Sequence, residues 1–152
     1  MDENLKAFIM KAKARMYTED SCVVNDLTGT IEFNYATDNY EYHIHGYRGN
    51  ISCTITEVAH INREPVWSIT YSSIVDNMNE EAYEFLRHCL LIGNGMGCIK
   101  GPRHMSLDTG TDTYIYSYIT EPGEGIKLAR ETITCGGKIL FSSKILINEN
   151  FG

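Results

Sequence analysis

The stretch from Tyr40 to Tyr71 reads YEYHIHGYRGNISCTITEVAHINREPVWSITY, and its plan returns later in the chain. Shifted by 74 residues without a gap, it falls on YIYSYITEPGEGIKLARETITCGGKILFSSKI, from Tyr114 to Ile145. Turns fall on turns, and five of the 32 aligned pairs are identical: Tyr40 and Tyr114, Tyr42 and Tyr116, Gly49 and Gly123, Glu57 and Glu131, Ser68 and Ser142. The sequence therefore predicts an internally duplicated single domain, with halves at 1–76 and 77–152.

An amphipathic helix precedes each copy. The first is predicted from the capping residue Asp2 to about Tyr17, and the second from Asn79 to about Gly93. Apolar side chains recur at helical spacing in both, as Leu5, Phe8, Ile9, Ala12 and Met16 and as Ala82, Phe85, Leu86, Cys89 and Leu90. Lys13 is predicted to lie outside the first apolar stripe.

Each copy also contains three strand-like segments joined by short turns. They span about residues 39–46, 51–61 and 65–73, and about residues 113–120, 125–135 and 138–147. The segment Thr30–Tyr35 alternates well enough to form a short extra strand. We therefore predict an α+β fold of duplicated helix-plus-three-strand halves, with antiparallel sheet and one helix packed on each half. Whether the strands form one sheet or two is left open.

The charge and cysteine content limit the classes of function. A formal net charge of -7 argues against direct nucleic-acid binding, which needs a basic surface, and suits a basic protein partner. The five cysteines are widely spaced, without a CxxC motif, and are typical of reduced thiols. The chain has neither a leader-like start nor an apolar run long enough to span a membrane, so a cytoplasmic location is predicted.

Two glutamates and several aromatic side chains are the candidate ligand contacts. Strand alternation places Glu57 between Ile55 and Ala59 on an apolar face, and Glu131 in the equivalent position. A buried carboxylate needs hydrogen bonds or a cation, which can come from a ligand or from the fold itself. The predicted ligand-binding set is Glu57, Glu131, Trp67, Tyr71, Tyr42 and Tyr116, although aromatic side chains on strands commonly belong to the core.

Other motifs are weaker. The loop GNGMGCIKGPRH places Lys100, Arg103 and His104 close together and could bind an anion, but it lacks the strand-to-helix context and the GK[ST] sequence of a phosphate-binding loop. His43 and His45 share a strand face without a clear third ligand, so no metal is predicted. No nucleophile motif occurs, so we predict neither an enzyme nor a cofactor.

The repeated segments resemble a family of small bacterial and mobile-element domains of unknown function. The first half carries the pattern as YEY, YRGN and TEVAHINREPVWSITY, and the second as GPRH, YIYSY, EPGEG and ARETITCGGKILF. Domains of this family occur alone or behind helix-turn-helix segments. The resemblance therefore implies a sensing or regulatory role.

Two functions remain open at this point. The first is a non-enzymatic small-molecule-binding or regulatory module with a cleft between the duplicated halves. The second is a small acidic phage or mobile-element protein, comparable to an anti-CRISPR, that inhibits a nucleic-acid-processing or defence complex by contacting a basic protein or ribonucleoprotein. The second predicts a filled core and acidic residues gathered on one surface: Glu19, Asp20, Asp38, Glu121 and Glu124. A homodimer is left open for both.

Overall fold

The computed structural model describes residues 1–18, 22–96, 100–121 and 126–149. Both predicted helices form, α1 at Glu3–Thr18 and α2 at Glu80–Gly95. The strands are β1 (Val23–Asn25), β2 (Thr30–Thr37), β3 (Tyr40–Arg48), β4 (Ser52–Ile61), β5 (Glu64–Val75), β6 (His104–Asp108), β7 (Thr113–Glu121), β8 (Ile126–Cys135) and β9 (Lys138–Asn148). None of the helices in these ranges is both long and apolar enough to cross a bilayer.

The prediction of helix-plus-three-strand halves is wrong. All nine strands form one antiparallel sheet in the order β1-β2-β3-β4-β5-β9-β8-β7-β6, and the two helices are a minor part of the fold. β1 and β6, the two edge strands, were not predicted; they are only 3 and 5 residues long, too short for a periodic pattern to identify a strand in the sequence. The pairing of β5 with β9 joins residues about 70 positions apart, which no local pattern predicts.

The two helices cover the same face of the sheet. α1 packs its apolar stripe onto β2 to β5, and α2 packs its stripe onto β7, β8 and β9. The helices also contact each other, since Asn94 Nδ2 donates a 3.0 Å hydrogen bond to the carbonyl oxygen of Met10. The opposite face is open to solvent and carries side-chain pairs such as Thr54 with Ser72. The sheet is therefore buried on one face only.

The strand register repeats after 74 residues. Tyr42 pairs with Ala59, and Tyr116 pairs with Ile133. The register shift after Ala59, where β4 meets β5, recurs after Ile133, where β8 meets β9. Tyr71 pairs with Ile145 at the centre of the sheet, and these two residues are themselves 74 positions apart. Tyr71 thus marks the junction of the two halves.

Candidate ligand-binding site

Glu57 lies on β4, fully buried beneath α1. Lys13 of α1 forms an ion pair with Glu57 Oε2, and Tyr42 Oη donates a hydrogen bond to the same oxygen. Helical spacing places Lys13 one turn after Ile9, so its side chain points into the sheet and is fully buried. The prediction that Lys13 lies outside the buried stripe is therefore wrong.

The charges of this pair depend on each other. Burial alone would raise the pKa of the Glu57 carboxyl, but the Lys13 and Lys100 ammonium groups and two hydrogen bonds hold that pKa below its ordinary value. Burial lowers the pKa of Lys13, against the attraction of Glu57. Burial and the charge of Glu57 also raise the pKa of Tyr42 well above its usual value, so the phenol stays protonated.

Glu131 occupies the equivalent position on β8, also buried. Tyr116 Oη donates a 2.6 Å hydrogen bond to Glu131 Oε1 and accepts a 3.1 Å hydrogen bond from the backbone N–H of Gly101. The second carboxylate oxygen, Oε2, lies 3.8 Å from Lys100 Nζ. Each half therefore contains a buried tyrosine, glutamate and lysine, but the second lysine is held less closely.

Lys100, the lysine beside Glu131, does not come from a helix as Lys13 does. In α1, Lys13 comes five residues after Phe8; in α2 the residue five positions after Phe85 is Leu90, which has no charge. Lys100 instead follows the helix and packs its backbone against Gly93, where a Cβ atom would overlap the Lys100 carbonyl oxygen. The close approach allowed by Gly93 thus positions a lysine that the helix itself does not supply.

Lys100 lies between the second glutamate and the centre of the sheet. Its Nζ is 3.9 Å from the centroid of the Tyr71 ring, within the range of a cation–π contact. Burial and the charge of Glu57 raise the pKa of Tyr71 well above its usual value, so its hydroxyl stays protonated. The two glutamate sites therefore meet through Tyr71 and Lys100.

A cavity of about 510 Å³ opens at this meeting point, between the two helices and the sheet. Its polar lining includes Tyr17, Tyr71, Lys100 and Glu131. Its apolar lining comes from α2 and three strands: Ile55, Val75, Leu86, Leu90 and Phe141. The β3–β4 turn contributes part of the wall through Arg48, Gly49 and Asn50. The cavity therefore lies where the two halves of the chain join.

A groove of about 450 Å³ lies beside the cavity, between the end of α1 and α2. Cavity and groove share the side chains of Tyr17, Tyr83, Leu86 and Leu90. Burial raises the pKa of the Tyr17 phenol well above its ordinary value, with the charge of Glu57 adding to the effect. Tyr17 is thus a protonated hydrogen-bonding group between the two spaces.

The residues selected from the sequence do not all meet in one place. Tyr71 and Glu131 line the cavity, while Tyr116 lies in the core and donates a hydrogen bond to Glu131. The other three ligand candidates lie in the packed core beneath α1 and do not line the cavity: Glu57, Trp67 and Tyr42.

The residues of the predicted cationic loop also do not all lie at the cavity. Lys100 points inward to the cavity, whereas Arg103 and His104 are exposed and do not line it. Of the acidic residues assigned to an interaction surface, Glu19, Asp20 and Glu124 lie outside the described residues, and Asp38 and Glu121 are exposed.

Sequence reasoning missed Lys13, Tyr17 and Leu90 as parts of this site. One signal was available for the lysine. Aligning the helices on Phe8 and Phe85 places Lys13 on Leu90, a member of the second apolar stripe. That correspondence indicates a buried lysine, which needs an acidic partner such as Glu57.

Comparison of the chain with protein-family models, with curated proteins and with solved structures gave no match. The resemblance to a mobile-element domain family stays a prediction from the sequence.

Proposed function

We propose that this protein is a non-enzymatic module that binds a small molecule in the cavity between its two helices and its sheet. The observation that carries the proposal is the cavity itself, whose volume of about 510 Å³ lies within the range of about 300–1,000 Å³ that is typical of ligand pockets. Most of its walls are helices and strands of the main fold, so the space is largely preformed.

The chemistry of the lining supports binding. Apolar side chains from α2 and three strands provide contact area, and a small number of polar groups can orient a ligand. The Tyr17 and Tyr71 phenols remain protonated because their pKa values are raised well above the usual value. They suit hydrogen bonding to a ligand better than proton abstraction from it.

The alternative function, an acidic inhibitor that acts by protein contact, required a filled core. A cavity of this size at the junction of the halves supports ligand binding over that alternative. In our proposal the protein acts in the cytoplasm as a regulatory sensor. The free thiols of Cys53, Cys89 and Cys135 suit a reducing compartment.

A substitution that fills the cavity tests the proposal. Leu90 lines both the cavity and the groove, so Leu90→Trp puts an indole ring into the space that a ligand would occupy. We expect the wild-type protein to bind the neutral fluorescent probe N-phenylnaphthylamine at one site. Leu90→Trp should weaken this binding at least about tenfold, equivalent to about 1.4 kcal/mol. Probe fluorescence, excited outside the tryptophan band, measures the affinity.

Leu128→Trp is the matched control. Leu128 is 50% exposed on the open face of the sheet, so the same substitution there leaves the cavity unchanged. Probe binding that is unaffected by Leu90→Trp, or weakened equally by both substitutions, would contradict the proposed function.

A further inference from the structure

We propose that the cavity selects a ligand with an anionic group, such as a carboxylate, which binds Lys100 while an apolar or aromatic body lies between the helices. This inference rests on the proposed function and adds the chemical class of the ligand. Its starting point is the difference between the two buried lysines.

Lys13 has its acceptors within the protein, since it is bonded to Glu57 and lies 3.4 Å from Tyr42 Oη. Lys100 is almost as deeply buried, with 4% of its surface exposed. Its nearest carboxylate oxygen, Glu131 Oε2, is 3.8 Å away, beyond hydrogen-bond distance. The described residues supply Lys100 with an ion pair and an aromatic ring but with no hydrogen-bond acceptor.

An ammonium group carries three N–H donors, and that of Lys100 lies at the cavity wall, where acceptors on a bound molecule can reach it. Glu131 directs one oxygen to Tyr116, which already holds it at 2.6 Å. Lys100 lines the cavity, so an oxygen of a bound ligand could take the place that Glu57 takes for Lys13. Hydrogen bonds between an ammonium and an anionic oxygen are stronger than those to a neutral acceptor.

The charge of the cavity lining also favours an anionic ligand. The protein as a whole has a net charge of -7, yet the charged side chains around the cavity are two cations, Arg48 and Lys100, and one carboxylate, Glu131. Arg48 lies at the exposed turn and is 58% accessible; its guanidinium is 3.7 Å from the exposed Asp26 carboxylate, which offsets part of its charge. The carboxylate of Glu131 is partly offset by Tyr116 and Lys100.

The rest of the lining requires an apolar body on that anion. Tyr17, Tyr71 and Tyr83 contribute aromatic rings, and Leu86 and Leu90 contribute aliphatic side chains. Rings of this kind pack well on flat aromatic or branched aliphatic groups. The ligand class is therefore an amphipathic organic anion, not an inorganic ion or a free cation.

Two dyes with one ring system test this inference. Anilinonaphthalene sulfonate is N-phenylnaphthylamine with an added sulfonate, so the pair differs by a single anionic group. We expect the wild-type protein to bind the sulfonate at least about tenfold more tightly than the neutral dye. Lys100→Met/Glu131→Gln removes both charges together and leaves an oxygen for Tyr116; it should abolish the preference while keeping affinity for the neutral dye.

Lys144→Met is the matched control, since Lys144 is exposed on the open face and its loss changes the net charge without touching the cavity. Lys100→Arg keeps the cation and should keep the preference if the double variant does not fold. Equal affinity of wild type for the two dyes, or a preference that survives the double variant, overturns this inference but leaves the proposed function standing. Binding of neither dye contradicts both.

Discussion

Replacing Lys13 by methionine is expected to lower the free energy of unfolding by about 3–5 kcal/mol. Lys13 and Glu57 are both fully buried and form an ion pair, and removing one partner leaves the other buried charge without its closest counter-charge. In Lys13→Met the Glu57 carboxylate keeps the hydrogen bond from Tyr42 and the more distant charge of Lys100, but it loses its ion-pair partner. It must therefore take up a proton or accept the cost of an unpaired buried charge. Denaturant unfolding at neutral pH measures the loss.

The second half of the test is the double variant Lys13→Met/Glu57→Gln. The glutamine keeps an oxygen for Tyr42 and carries no charge, so this variant should recover most of the lost stability. Lys11→Met, an exposed position on the same helix, should change the free energy of unfolding by less than about 0.5 kcal/mol. If the double variant is as unstable as Lys13→Met, then an uncompensated charge on Glu57 is not the cause of the instability.

A steep loss of stability at alkaline pH is the second large effect. Burial, together with the nearby glutamates, raises the pKa values of Tyr42 and Tyr116 above their ordinary value of 10.0. Above that value the unfolded chain releases the phenol protons and the folded chain keeps them. The unfolded state then binds fewer protons, so the free energy of unfolding falls as pH rises.

The size of this loss follows from the number of buried phenols. Lys13 changes the free energy of unfolding in the opposite direction, because burial lowers the pKa of this lysine in the folded protein. Its contribution becomes constant above its ordinary pKa of 10.5. From about pH 10.5 to about pH 11.5 we expect Tyr42 and Tyr116 to cost about 2 kcal/mol together. The raised pKa values of Tyr17, Tyr71 and Cys89 add to the loss.

Urea unfolding at several pH values measures this slope. Tyr42→Phe should lower stability near neutral pH, because Glu57 loses a hydrogen bond, but it should make the alkaline slope shallower. Tyr47→Phe removes a hydroxyl that is exposed, with 57% of the residue accessible, and serves as the control. An alkaline slope that Tyr42→Phe leaves unchanged would mean that other groups cause the loss.

Local patterns predicted the elements better than their assembly. Alternation correctly placed Glu57 and Glu131 on a buried face, because a strand with one covered face carries period-two polarity. The same reasoning did not detect the edge strands β1 and β6, because 3 and 5 residues are too few for alternation to identify a strand. It could not join β5 to β9 either, since that pairing depends on long-range complementarity.

The lysine partners of Glu57 and Glu131 were not identified from the sequence, for related physical reasons. A lysine beside an apolar helical stripe is usually solvated, so Lys13 was assigned to the outside of α1, although it is buried in an ion pair. Lys100 lay in a glycine-containing loop that suggested a surface anion site. Its inward position depends on close packing against Gly93, which is a tertiary contact. The cavity arises from both helices and the sheet together.

Native mass spectrometry of the protein purified from its natural source, beside Leu90→Trp prepared in the same way, tests the binding of a small molecule most directly. We expect the wild-type protein to retain one copy of a small organic molecule and Leu90→Trp to lose it. A bare wild-type protein, a small molecule retained equally by both, or a large basic polypeptide as the only companion would contradict the proposed binding function.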